Sequence, residues 1–230
     1  MTRPRYAVYA VPTRGHPLRT LAADWLGRDP EGSAVASGAR PDWLTPGRWH
    51  EITEDARYYG FHGTMKPPFA LSDGCDADGL DASIAAFATA QPPLPPVPFR
   101  VGALSGFLAL LPDGPPAELL ALADRCVERF DAFRAPPGEA ELARRRRARL
   151  TPAQEAHLVR WGYPYVFDQF RFHMTLTARL TSPEREAVLD WLAGRFAPVL
   201  AEPVPLELAL FRQDSRHLPF DLVRRYPLGS

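Results

Sequence analysis

The chain has only two cysteines, Cys75 and Cys126, in 230 residues. They make no CxxC and no disulfide framework, so they agree with a reducing cytosol without requiring one, and neither thiol is a candidate nucleophile. Net charge is also missing, since Lys+Arg and Asp+Glu both number 27. That balance removes the electrostatic drive of a dedicated duplex-DNA or anionic-membrane binder. No stretch approaches the ~18 uninterrupted apolar residues of a spanning helix, and the first apolar run, residues 6–11, is too short and too early for a signal-peptide core. The expectation is a soluble cytoplasmic protein, a monomer without a membrane partner. Lysine is nearly absent as well: Lys66 is the single one, and the other basic residues are arginines. With 26 prolines and abundant alanine, this composition fits a GC-rich coding bias.

What is present is 46% hydrophobic and 11% aromatic, enough to bury a sizeable core in one or two small domains. Residues 6–11 (YAVYAV) read as a buried strand, and residues 17–27 as a helix with Pro17 in its first turn. Residues 28–59 lack a clear period and read as a long loop. Residues 61–71 (FHGTMKPPFAL) read as a strand that must end or bulge at Pro67 and Pro68. A helix over 76–89 and short strands at 97–103 and 107–111 follow. The second half repeats that order, with a helix at 116–133, a charged helical stretch at 139–161, a strand at 171–180, a helix at 183–196 and strands at 204–211 and 219–225. The expected fold is α+β, a two-lobed pseudo-symmetric duplication. Each lobe is an antiparallel sheet with helices on one face, and a central cleft lies between the lobes. The first lobe spans 1–106, and the second spans 107–230 with a helical insertion at 136–162.

Each half places one histidine two residues before a threonine, in His62-Gly63-Thr64 and His173-Met174-Thr175. Residues i and i+2 of a strand share a face, so each pair presents an imidazole beside a hydroxyl. By the same spacing Lys66 continues the first face, and Thr177 and Arg179 continue the second. Two imidazoles, several hydroxyls and two cationic heads in one cleft would suit a phosphate ester. One imidazole takes a proton while the other gives one, and the hydroxyls and cations hold phosphoryl oxygens. Six histidines meet Ser or Thr at this spacing by chance at roughly one position in eight. The weight therefore comes from the corresponding strands, from Phe61 and Phe172, which precede the two motifs, and from the single lysine, Lys66, falling on the first face. The plain alternative is that both histidines are satisfied polar residues of half-buried strands.

The paired motifs resemble those of the 2H phosphoesterase superfamily. The stretches YYGFHGTMKPPF and GYPYVFDQFRFHMTLTARL are similar to its bacterial branch associated with phosphonate-degradation operons. The resemblance implies His62 and His173 as the catalytic pair and Thr64 and Thr175 as phosphate-binding hydroxyls. Gly63 carries no implied role, and Lys66, Thr177 and Arg179 rest on strand geometry alone. The implied activity is a metal-independent, cofactor-free phosphodiesterase, a hydrolase opening a cyclic phosphate ester such as a cyclic sugar phosphate from phosphonate catabolism.

Three other readings stay open. A metal enzyme lacks support from any HExxH, CxxC or carboxylate cluster. An RNA 2′,3′-cyclic phosphodiesterase or 2′,5′ RNA ligase could use the run 144–147 (RRRR) and Tyr163, although zero net charge does not favour nucleic acid and such a run is usually a solvated face. A non-catalytic module could bind a phosphorylated ligand without turnover. Tyr163 and Tyr165 could stack on a base or sugar, or serve the core. Leu142, Leu150, Leu158 and Trp161 could pack the insertion over the cleft. His16, His50, His157 and His217 lack a hydroxyl two residues on and read as surface or structural.

Overall fold

Alternating apolar residues with no polar partner face make the first strand a central one. In the computed structural model, which describes residues 3–35 and 39–229, β1 (Arg5–Pro12) is buried along its whole length. Tyr6, Val8 and Ala10 join the larger core, whereas Ala7, Tyr9 and Val11 join a smaller one on the opposite face. Next comes α1 (Pro17–Leu26), capped by the His16 side chain, which accepts from the Leu18 amide, and closed by Gly27 at φ 69°. The stretch expected as a long loop contains α2 (Pro46–Tyr59). Thr45 caps it and Pro46 opens it, but only Ile52, Thr53 and Ala56 are buried. That stripe is too thin to give a readable helical period.

Then follow β2 (Gly63–Ala70), α3 (Ala77–Ala90), β3 (Phe99–Leu104), β4 (Phe107–Pro112) and α4 (Ala117–Phe130), which continues into a 3₁₀ turn at Asp131–Phe133. The insertion forms α5 (Glu139–Arg146) and α6 (Pro152–Trp161), and a 3₁₀ turn at Phe167–Gln169 leads to β5 (Met174–Arg179). The chain finishes with α7 (Ser182–Leu200), β6 (Leu206–Gln213) and β7 (Asp221–Tyr226). No helix among the described residues is long and apolar enough to cross a membrane.

The architecture is mixed α+β, but the strands expected as two sheets form one. The order is β3-β4-β5-β2-β1-β6-β7, and each described pairing is antiparallel. The halves meet at β2 and β5 through one register pair, Gly63 opposite Met174. Beyond it the two strands form no further register pair among the described residues. The Trp25 indole donates to the Leu176 carbonyl at 2.9 Å, and α4 lies against β2. Strand β2 carries the irregularity its prolines require, with register shifts against β1 on both sides of Val8.

Candidate active site

An antiparallel pair places residues around the matched positions opposite one another. With Gly63 opposite Met174, His62 falls opposite Thr175 and Thr64 opposite His173. Successive residues alternate faces, so these four side chains share one face of the sheet, away from the buried Met174. Both histidines sit immediately before their strands rather than within them. The close fit at this junction depends on Gly63, because a Cβ there would come within 2.1 Å of the Phe172 ring. Gly63 therefore has a packing role that the motif alone did not suggest.

The two imidazoles are held alike. His62 Nδ1 donates to the Gly60 carbonyl at 2.8 Å, and His173 Nδ1 donates to the Arg171 carbonyl at 2.7 Å. A carbonyl can only accept, so the proton resides on Nδ1 and the Nε2 of each neutral ring is an unprotonated acceptor. The Thr64 hydroxyl donates to that Nε2 of His62 at 3.3 Å. Burial lowers the His62 pKa to about 4, against the pull of the Gly60 carbonyl and helped by the nearness of His173. Burial also lowers His173, opposed by the Arg171 carbonyl. Both rings are therefore neutral near pH 7, so neither is the protonated partner expected of the pair.

Aromatic rings fix the histidines from the side. Tyr9 stacks on His62, with Tyr59 and Phe211 farther out, and Phe107 lies 5.4 Å from His173. A cavity of about 640 Å³ opens beside them, lined by Thr64, Ser105, Tyr163, Tyr165, Arg171, His173 and Arg179 among others. Tyr163, Tyr165 and Arg179 line one cavity with His173 and Thr64. His62 and Thr175 are not part of that wall.

Two expected site residues are elsewhere. Lys66 does not continue the face of Thr64. Met65 is an extra residue between the pairs Tyr9–Thr64 and Val8–Lys66, and this bulge turns Lys66 to the helical side. There it is fully buried, with Nζ 2.9 Å from the Val127 carbonyl and 2.8 Å from Asp131 Oδ1. Burial lowers its pKa to about 8, opposed by Asp131. Burial alone would raise the Asp131 carboxyl, but hydrogen bonds from Arg134 and Lys66 hold it below its ordinary value. Thr177 is also buried; its hydroxyl accepts the Leu108 amide at 3.0 Å and donates to the Ala178 carbonyl at 2.8 Å where the β4–β5 ladder is irregular.

The arginine run divides. Arg144 pairs with Glu141 and Arg146 with Glu155, while Arg145 turns inward with its guanidinium 4.5 Å from the centre of the Tyr163 ring. Sequence reading passed over Tyr9, Arg171 and the His157–Asp168 pair. His157 Nε2 lies 2.7 Å from Asp168, which lines the cavity. Alternation within YAVYAV was the one available signal for Tyr9, since it separates Tyr9 from Tyr6, Val8 and Ala10. Among the described residues, no three His, Cys, Asp or Glu side chains gather as metal donors.

Comparison with known proteins adds two findings. The chain is 38% identical over 231 residues to a protein of Janthinobacterium sp. (strain Marseille) named ribose 1,5-bisphosphate phosphokinase PhnN, covering 98% of this chain and 51% of that relative. It is 35% identical over 230 residues to the protein of the same name from Laribacter hongkongensis (strain HLHK9), covering 96% and 51%. The chain thus spans about half the length of the curated relatives it matches. A phosphokinase transfers a phosphoryl group, and this naming of the relatives overturns the expected cyclic phosphodiesterase and its hydrolase class. A family described as "Protein of unknown function (DUF1045)" matches residues 64–221. That match covers most of the chain, which belongs to the DUF1045 family.

Proposed function

We propose that this chain supplies the sugar-phosphate site of a phosphoryl-transfer enzyme and acts on a phosphorylated ribose. The observation that carries this reading is the pair of neutral imidazoles, each anchored through Nδ1, sharing a sheet face with two threonine hydroxyls beside an arginine-bearing cavity. A neutral Nε2 can take the proton of an attacking oxygen, while the Thr64 and Thr175 hydroxyls hold phosphoryl oxygens. Tyr163 and Tyr165 line the same cavity, where they would flank the sugar. The relatives' name, ribose 1,5-bisphosphate phosphokinase, supplies the substrate class. The sequence holds no GxxxxGK[ST] loop to cradle a nucleotide, so the proposal concerns the sugar phosphate.

The phosphonate-degradation setting belongs to the same reading, as does descent of 1–106 and 107–230 from one duplicated unit. The matching anchors, each a carbonyl two residues before its histidine, support that descent.

The test is titration of the chain with ribose 5-phosphate and ribose 1,5-bisphosphate, followed by calorimetry and by the ¹⁵N resonances of the histidines. Binding should shift the resonances of both His62 and His173, and His62→Asn and His173→Asn should each weaken it. Sugar phosphates that leave both imidazoles unperturbed would sink the reading.

A further inference from the structure

Two arginines line the cavity, Arg171 and Arg179. Arg171 lies two residues before His173, and its carbonyl anchors that imidazole. Arg179 lies six residues beyond His173, roughly 20 Å along a strand. Both line the cavity and both are exposed. Among the described residues neither guanidinium has a carboxylate or other hydrogen-bond partner. Most of the other arginines around the site are engaged: Arg144 and Arg146 with glutamates, Arg134 and Arg160 with Asp131. The carboxylate in the cavity wall, Asp168, is already held by His157 and Gln169. The wall therefore presents two guanidiniums that no carboxylate pairs, with Asp168 the one acidic side chain among its lining residues.

The region beside Arg179 also has a shaped floor. Ser105 (φ 50°) and Gly106 (φ 93°) form the two-residue turn joining β3 and β4, and the Leu180 amide donates to the Gly106 carbonyl at 2.9 Å. That bond ties the turn to the end of β5, bringing Ser105 to the same wall as Arg179. About 640 Å³ is the size of a small-molecule site and far more than one phosphate group fills.

Building on the sugar-phosphate reading, we propose that the site takes a ligand with two phosphate groups, one beside His173 and Arg171 and the other at a distal subsite made by Arg179 and Ser105. An arginine fork matches a phosphate through parallel N–H bonds, and an unpaired guanidinium loses no internal partner when it does so. The two arginines then have separable duties. Arg171 holds the phosphate common to mono- and bisphosphates, and Arg179 recognises only the second.

The experiment measures Kd by calorimetry for two ligand pairs, ribose 5-phosphate against ribose 1,5-bisphosphate and butane-1-phosphate against butane-1,4-bisphosphate. The parent protein should prefer the bisphosphate of a pair by about tenfold or more, the scale of one charge-assisted contact. Arg179→Gln and Ser105→Ala should reduce that preference with monophosphate affinity unchanged, whereas Arg171→Gln should weaken both members. Both arginines are exposed, so these substitutions leave the core intact. An Arg179→Gln protein that loses mono- and bisphosphate equally, or a parent that makes no distinction in either pair, overturns the distal subsite. If only the butane pair shows an Arg179-dependent preference, the subsite stands and the ribose reading falls.

Discussion

The imidazole of His62 lies flat against the ring of Tyr9, with centroids 3.6 Å apart and planes 18° from parallel. Together with the Gly60 carbonyl on Nδ1, this stack leaves one ring orientation, in which Nε2 meets the Thr64 hydroxyl. Tyr9→Phe keeps the ring face and should leave ligand affinity unchanged. Tyr9→Ala removes it, so water should enter and the His62 pKa should rise from about 4 towards its ordinary 6.5. Histidine titration by NMR reads this directly, and an unmoved pKa in Tyr9→Ala would assign the burial to other neighbours.

A second prediction follows from the strand junction. Gly63→Ala puts a methyl group into the Phe172 ring, and Phe172 is buried. Overpacking of this kind costs about 1–3 kcal/mol. The residue that must move adjoins His173, so Gly63→Ala should lower ligand affinity as well as the urea midpoint. A variant as stable as the parent, with the same affinity, would mean that the junction relaxes freely.

Lys66 gives the opposite separation. It is buried on the helical side with Val127 and Asp131, away from the histidines. Lys66→Met leaves the Val127 carbonyl unpaired and Asp131 with fewer cations, a loss of about 3 kcal/mol for a broken buried pair. Affinity for ribose phosphates should stay within about twofold, well under the tenfold of a lost charged contact. A stable variant with impaired binding would put Lys66 back at the site.

The lowered His62 pKa also fixes a pH dependence. As pH falls through about 6.5 the unfolded chain protonates this imidazole, whereas the native state does so only near 4. Native stability is therefore lost across that window and loses nothing further from this group below it. The His62 contribution between pH 7 and pH 5 is roughly 2 kcal/mol. His62→Asn should flatten the dependence of the urea midpoint by that amount, and equal slopes in the two proteins would contradict the buried neutral ring.

Binding should carry the reverse linkage. A phosphate placed beside His173 favours its charged form, so complex formation near neutral pH should take up protons. Calorimetry in buffers of different ionisation enthalpy measures that uptake, and proton release would rule out an imidazolium partner.

The sequence by itself determined much of this protein. Period and punctuation located most of the strands and helices, and the i, i+2 rule put Thr64 beside His62, because these relations are local to a few residues of backbone. Helix α2 escaped because a cap and three buried residues make a weak periodic signal. Other features depended on contacts distant in the chain. Gly63 opposite Met174 merges the halves into one sheet and brings the motifs together. One extra residue at Met65 sends Lys66 to the far side of that sheet, since a single-residue shift in a strand of period two exchanges its faces, and no spacing within the strand itself records which partner it will follow.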